Sequence, residues 1–522
     1  LITKTIIKSG EYYDSITLLE VAQGLLALED IADAAVVMGT PANKGILAGA
    51  DLLTPEAEAA SSDDLVIAVR AASEEAAAVA MEEAGALLKT SHAPQMESGM
   101  APPPKTMEAA IERLEGANLV LISVAGRYAG GVAREALRQG LHVFLFSDNV
   151  SLEDEIALKK LGREKGLLVM GPDAGTAIIN GVALGFANAV PAGPVGVIAA
   201  SGTGLQAVTC YMSRLGVGIT QAIGTGGRDL KTAVGGIMML EGLKALQADP
   251  ATKVLLLVSK PPAPEVAAKV LEQVKAGDKP TVVLFLGGDP EKIRAAGAIP
   301  AANMEEAACL AAAAAVAQGQ DPDDALENLR YQDAGLRSRA ADLKRRLKPQ
   351  QKYFRGLFSG GTFCYETQLI LKDLGINVYS NAPVDKSLQM ADSNESVGHV
   401  AVDLGEDEFT VGRLHPMIDP TLRNRRIVQE ARDPETAVIF LDVVIGYGSH
   451  ADPAGMAAEA IKEARAVAQA GGREVLFVAS VCGTADDPQD LGMQEAKLEE
   501  VGVLVLPTNA AATRLAGYIL DF

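Results

Sequence analysis

Two stretches decide the fold: ASGTGLQAVTCYMSRLGVGI, from Ala200 to Ile219, and FSGGTFCYETQLILKDLGINV, from Phe358 to Val378. Laying Thr203 on Thr362 places Leu215–Gly216 on Leu374–Gly375, because twelve residues separate the landmarks in each copy. Each copy reads as strand, Ser-Gly-rich turn, amphipathic helix, Leu-Gly stop and strand. Later punctuation corresponds too: LGGDP (Leu286–Pro290) follows a strand in one copy and CGTADDP (Cys482–Pro488) follows one in the other. An internal duplication of an α/β unit is expected. A strand that runs through Ser-Gly into a helix also has a chemical use. Glycine permits close backbone approach, the freed N–H groups and positive helix end favour an anion, and hydroxyls add donors. Any doubly wound domain needs a tight turn after its first strand, so one such loop says little; two related loops say more. Ser201, Gly202, Thr203 and Gly204, with Ser359, Gly360, Gly361 and Thr362, are the phosphate-binding candidates. No Gly-Lys-Ser/Thr follows either turn, which disfavours a P-loop NTPase.

Working outward, residues 1–90 read as a small α/β domain with strands at Ile2–Ile7, Ala34–Met38 and Leu65–Val69, helices at Ser15–Leu28 and Ser73–Leu88, and all helices on one side of the sheet. Residues 91–107 are rich in Pro, Met and Ser and read as a linker. Residues 108–190 alternate short apolar runs with helical segments, the pattern of parallel strands with right-handed crossovers. The duplicated units span 192–318 and 352–522, joined by a charged helical connector at 319–351.

The 522 residues suggest about three or four domains. The net charge of −21 argues against a nucleic-acid scaffold, which needs a basic face. Aromatics at 4% and no Trp leave no stacking platform. Four scattered cysteines and five histidines show no CxxC or HExxH spacing, so neither a zinc site nor a disulfide framework is expected, in keeping with a reducing cytoplasm. The opening LITKTIIKSGEYYDS has no signal-peptide pattern, and no apolar run reaches the roughly 18 residues of a membrane span.

Several single residues are candidates. Arg228, just past Gly226 and Gly227, can clamp a carboxylate or phosphate; the plainer reading is an ion pair with Asp229. Arg413 and His415 sit in FTVGRLHPMIDP, either a binding loop or a Pro-stiffened turn that buries Met417. His450 follows Gly446–Tyr447–Gly448–Ser449 and suits general acid/base work or a cap. Asp442, at the end of the preceding strand, can orient His450 or Arg413. Arg413, His415 and His450 are thus the catalytic candidates, and Gly226, Gly227, Arg228 and Asp442 the substrate-binding ones. Cys364, at the start of a helix, reads as a small buried residue more readily than a thiolate. His92 and His142 read as structural, and Lys44 has no assigned mechanism.

Six motifs carry a family resemblance: KSGEYYDS (Lys8–Ser15), VVMGTPANK (Val36–Lys44), FSDNVSLEDEIALK (Phe146–Lys159), GPDAGTAIINGVALGFAN (Gly171–Asn188), FTVGRLHPMIDP (Phe409–Pro420) and LDVVIGYGSHADP (Leu441–Pro453). On these the chain resembles the FdrA family, whose members are in turn similar to succinyl-CoA synthetase. The resemblance implies a multidomain α/β fold: a small N-terminal domain, a Rossmann-like CoA-binding domain at 108–190, and two flavodoxin-like ligase-type domains at 192–318 and 352–522. It also implies that the two helix N-termini face one another, as they do across the synthetase's phosphohistidine. Here the matching segment is Ala295–Ala296–Gly297–Ala298–Ile299, with alanine where that histidine stands, and no ATP-grasp domain fits in the chain. The chain alone is therefore not expected to be an ATP-driven acyl-CoA ligase. FdrA relatives resemble components of oxamate carbamoyltransferase in anaerobic allantoin breakdown. That implies phosphorolysis of oxalurate to carbamoyl phosphate and oxamate, partner subunits, self-association, and phosphate, carbamoyl phosphate and small carboxylates as ligands, without nucleic acid or membrane. No cofactor is required on this reading, with CoA left open because Val124–Gly130 lacks a full GxGxxG. The alternatives are an acyl-CoA ligase or CoA-transfer component with its ATP-grasp subunit in trans, and a non-catalytic scaffold.

Overall fold

The computed structural model describes residues 2–92, 104 and 106–521, apart from 10, 12, 14, 27, 29, 51, 317–321 and 411–412. Two compact units emerge, one of residues 1–105 with 407–414, the other of 106–406 with 415–522. Most of the 91–107 linker lies outside the described residues. Among the described residues no helix is long and apolar enough to cross a membrane.

The first unit runs β1 (Ile2–Ser9), α1 (Ser15–Leu26), β2 (Ile31–Met38), α2 (Pro41–Gly49), α3 (Pro55–Ala59), β3 (Asp64–Ala71) and α4 (Glu74–His92). Its sheet has the order β1-β3-β2 and is antiparallel throughout. The single helical layer expected from sequence is corrected. Strand β3 is apolar at consecutive positions, so it has two faces to bury. Leu65, Ile67 and Val69 pack with Leu18, Leu25 and Leu88, while Val66 and Ala68 pack with Leu47, Leu52 and Ala57. Lys44 closes this second layer: its Nζ donates to the carbonyls of Glu58 and Ala60 at 2.7 and 2.6 Å, at the end of α3.

The second unit begins with α5 (Met107–Arg113), β4 (Leu119–Ile122), α6 (Gly126–Arg138), β5 (His142–Leu145), α7 (Leu152–Lys165) and β6 (Val169–Met170). These strands form a parallel sheet in the order β4-β5-β6. The following hairpin, β7 (Thr176–Ile179) and β8 (Val182–Gly185), leaves that sheet and joins the next one antiparallel. The sequence boundary at 190 thus falls too late, because a hairpin at a sheet edge carries no helical crossover to reveal its partner.

The first duplicated half contains β9 (Ala192–Ala199), α8 (Gly202–Arg214), β10 (Ile219–Gly224), α9 (Ile237–Ala248), β11 (Val254–Ser259), α10 (Pro264–Lys275), β12 (Thr281–Phe285), α11 (Pro290–Ala295), β13 (Ile299–Pro300) and α12 (Met304–Val316). Helix α13 (Pro322–Lys344) follows and docks on the last helix, where Tyr518 Oη donates to Asp333 at 2.8 Å. The second half contains β14 (Tyr353–Phe358), α14 (Gly361–Asp373), β15 (Tyr379–Ser380), β16 (Val400–Asp403), α15 (Asp407–Thr410, in the segment of the first unit), α16 (Thr421–Arg432), β17 (Thr436–Val444), α17 (Pro453–Ala470), β18 (Leu476–Cys482), α18 (Leu491–Glu500), β19 (Leu504–Leu506) and α19 (Asn509–Asp521).

The halves repeat one design. The first sheet reads β13-β12-β11-β9-β10 before the added hairpin; the second reads β19-β18-β17-β14-β16 before the edge strand β15. Helices α8 and α14 both have thirteen residues. Each stops at Leu-Gly, with Gly216 at φ +79° and Gly375 at φ +80°. The next N–H then closes the helix end, Val217 to Met212 O at 3.0 Å and Ile376 to Leu371 O at 2.8 Å. Central strands β11 and β17 are buried at every position, as parallel strands covered on both faces require. Helix α12 packs on α8, and α19 packs on α14.

Candidate functional site

The two Ser-Gly turns meet. Ser201 is the N-cap of α8, and its Oγ accepts from Gly204 N–H at 2.9 Å. The same Oγ lies 2.5 Å from Thr362 Oγ1 at the start of α14. Gly360 packs on the opposite loop so closely that a Cβ there would sit 2.8 Å from Thr203 Cγ2. The starts of α8 and α14 therefore face one another, as the family resemblance implies.

Not every candidate donor is available. Gly204 N–H is taken by its own cap. The N–H groups of Ser359 and Gly360 each donate to Asp442, both at 2.7 Å. Arg423 completes the clamp: its Nη1 donates to Ser359 Oγ at 2.7 Å and to the Asp442 carbonyl at 2.6 Å. Asp442 and Arg423 are both buried. Burial raises the Asp442 carboxyl from its ordinary range, against the pull of Arg423 and the two N–H groups. The Asp442 carboxyl is thus already engaged within the loop, which corrects its reading as a substrate-binding residue or a partner of His450 or Arg413 and withdraws the N–H groups of Ser359 and Gly360 from the phosphate set. Among the described residues no acceptor takes the N–H groups of Gly202, Thr203, Gly361 or Thr362. These four are the free donors at two facing positive helix ends.

Two further residues flank this point that sequence reasoning missed. Lys260, just past β11, places Nζ 3.3 Å from the position of a Cβ on Gly361, and a Cβ there would collide with Asp403 Oδ2. Both follow or end parallel strands, where open α/β sheets place ligand-binding groups. That position is the only signal the sequence carries for them. His415 Nδ1 accepts from Met417 N–H at 3.3 Å, and its ring lies 5.5 Å from Phe186. Burial pushes its imidazole down to about 4, so it stands neutral at physiological pH. Met417 is buried, as the Pro-stiffened turn requires.

Arg413 is exposed and belongs to the 407–414 segment of the first unit. His450 Nδ1 accepts from the N–H of Asp452, the N-cap of α17, at 2.9 Å, and its own backbone N–H donates to Met417 O at 2.8 Å. Arg228 pairs through Nε with Glu155 Oε2 at 2.8 Å and donates Nη2 to Val150 O at 2.8 Å. Its ion-pair partner is Glu155 rather than Asp229. Glu155 and Asp229 instead hold the fully buried Lys159 at 2.8 and 2.9 Å, and burying three charges demands this mutual pairing. Gly226, at φ +85°, leaves no room for a Cβ against Pro172 O, so it serves the same packed turn, with Gly227 beside it. Cys364 is buried with its thiol pushed up by burial, and His142 Nδ1 accepts from Leu168 N–H at 2.9 Å, both structural. His92 ends α4, and its side chain lies outside the described residues.

Family models match three segments: a CoA-ligase domain at 357–519, a CoA binding domain at 192–287, and an AllF, heavy metal-associated domain at 2–103. The CoA-binding match falls on the segment read from sequence as the first ligase-type domain, not on 108–190. The heavy-metal description does not fit the residues: segment 2–103 has no cysteine and a single histidine, so the thiolates that hold a soft metal are not there. The uncharacterized protein YahF of Escherichia coli K12 is 44% identical over 98% of each chain. The malate–CoA ligase α subunit of Methylorubrum extorquens is 29% identical over 39% of this chain and 71% of its own. A succinate–CoA ligase (ADP-forming) α subunit of Archaeoglobus fulgidus is 29% identical over 35% of this chain and 62% of its own.

Proposed function

The chain belongs to the family of Escherichia coli YahF, and from that premise we propose that it binds a phosphate-type anion between the facing starts of α8 and α14 for acyl or carbamoyl transfer. Its domains are of the acyl-CoA synthetase, succinyl-CoA ligase-like type. The finer reading is the one the FdrA resemblance implies: phosphorolysis of oxalurate to carbamoyl phosphate and oxamate, with partner subunits. The contact of Ser201 Oγ with Thr362 Oγ1 carries the site, because it brings two positive helix ends and four free N–H groups to one place. Preorganised donors of this kind hold a phosphate and stabilise the oxyanion that develops at an attacked carbonyl. The residue that the resemblance sets at the histidine position is Ala295, exposed at the end of α11, and alanine cannot relay a phosphoryl group. Attack by phosphate itself needs no relay.

A second reading is CoA-dependent transfer, favoured by the CoA-binding match at 192–287. There Gly202 and Thr203 N–H groups would hold a CoA phosphate. Thermal stability separates the two. Ligand at about 100 times its dissociation constant adds roughly 2.7 kcal/mol. Stabilisation by phosphate and carbamoyl phosphate supports the anion-transfer reading; stabilisation by CoA alone supports the second; silence from all three contradicts both and leaves a scaffold.

A further inference from the structure

Asp403 stands where neither reading uses it. It ends β16, and Asn381 grips its backbone from both sides: Asp403 N–H donates to Asn381 Oδ1 at 2.8 Å, and its carbonyl accepts from Asn381 Nδ2 at 2.9 Å. The residue is 2% exposed. Its Oδ2 takes the place where a Cβ on Gly361 would sit, in the first turn of α14, with Lys260 Nζ 3.3 Å from the same point. Its Oδ1 accepts from Gly405 N–H at 3.0 Å. On that side His415 Nε2, Ser359 O and Asp403 Oδ1 lie 2.9, 3.0 and 3.3 Å from where a Cβ on Gly405 would sit. The carboxylate thus has one oxygen toward Gly361 and the other on the Gly405 loop, which His415 also lines.

The charged and titratable groups around it are Lys260 after β11, Glu406 on its own loop, Asp442 on β17 with Arg423 of α16, Cys364 on α14, and His415. Burial lifts the Asp403 carboxyl to about 7 against the pull of Lys260. His415, neutral in this range, does not compete for a proton. A dianion with no proton of its own would meet like charge on an ionised Asp403 but accept a hydrogen bond from a protonated one, whereas hydrogen phosphate brings the proton that an ionised Asp403 accepts.

The geometry points to Asp403 as the proton carrier of the anion site. The inference rests on the anion-transfer reading above. In phosphorolysis, an oxygen of hydrogen phosphate bonds to the carbamoyl carbon while the bond from that carbon to the oxamate nitrogen breaks. Asp403 takes the P–OH proton and returns it to the nitrogen, which departs with the electron pair of the broken bond. No net proton and no further reactant are required.

Sulfate tests this on the full chain, because it brings no proton of its own. Calorimetric titration near pH 8 in two buffers of different ionisation heat measures proton uptake on binding. The wild type is expected to take up a large part of one proton, and Asp403→Asn, which keeps an oxygen for Gly405 N–H, to bind sulfate with that uptake lost. Uptake persisting in Asp403→Asn overturns the inference while the anion site stands. Failure of the wild type to bind sulfate or phosphate overturns the site reading, and the inference with it. Should Asp403→Asn not fold, Lys260→Met replaces it. Loss of the cation that holds Asp403 down moves the uptake profile to higher pH, and an unmoved profile overturns the proposal.

Discussion

Replacing Ser201 with alanine strikes the join between the two halves at two points. The Oγ caps α8 through Gly204 N–H and meets Thr362 Oγ1 at 2.5 Å. Loss of an N-cap costs about 1 kcal/mol. Loss of a buried neutral hydrogen bond costs about 1 kcal/mol more, and the orphaned Thr362 hydroxyl, in a residue 3% exposed, adds desolvation. Ser201→Ala is therefore expected to destabilise by about 2–3 kcal/mol. Thr362→Val keeps the cap and the shape and loses only the shared bond, about 1–2 kcal/mol. The double variant loses that bond once, so the cycle should show a coupling of about 1 kcal/mol. Urea unfolding of the four proteins measures it, read from the transition that responds to Ser201→Ala, since a multidomain chain need not unfold in one step. Additivity to within about 0.3 kcal/mol refutes the direct contact on which the paired-loop site stands.

Asp442→Ala removes the acceptor of two N–H groups and leaves Arg423 buried without its carboxylate; a loss of about 3–5 kcal/mol in chemical denaturation is expected. Arg228→Ala should leave phosphate and carbamoyl phosphate stabilisation unchanged, because its guanidinium is spent on Glu155 and Val150; a lost ligand shift would return Arg228 to the site. Asp403 and Glu366 are both raised to about 7 by burial, Glu366 while accepting from Met304 N–H and Asn509 Nδ2, both at 2.7 Å. A carboxyl that holds its proton more tightly folded than unfolded stabilises fully below about pH 4, and that contribution is lost as pH rises through 7. Asp403→Asn should therefore flatten the fall in melting temperature between pH 5 and 8, and a wild type and variant with parallel profiles would contradict the assignment.

The duplication was legible because its signals are local. A Ser-Gly turn, a thirteen-residue helix and a Leu-Gly stop at positive φ each leave a mark within one short window. Which donors are free was not legible. Asp442 reaches back to Ser359 across 83 residues, and Asn188, between β8 and β9, donates to Asp487 of the second half across 299. Arg228 offered Asp229 as its neighbour in sequence, yet the fold gave it Glu155 on α7, because Asp229 was needed for Lys159. The second helical layer of the N-terminal unit and the sheet that the β7–β8 hairpin joins were not legible for a related reason: an apolar run declares a strand but not its neighbour. Lys260 and Asp403 carry no motif, and only the convergence of strand ends brings them to Gly361.

Phosphate binding by Gly202→Val tests the anion site between the facing helix ends. A Cβ at Gly202 meets only ordinary contacts, Gly175 Cα at 3.4 Å and Thr176 Oγ1 at 3.5 Å, so it does not force the loop apart, and the Val methyls then take up space at the first turn of α8. Calorimetry with inorganic phosphate should show binding by the wild type and an affinity at least about tenfold weaker, roughly 1.4 kcal/mol, in a variant whose melting temperature is unchanged. Equal affinity in the two proteins would contradict a site between the facing helix ends.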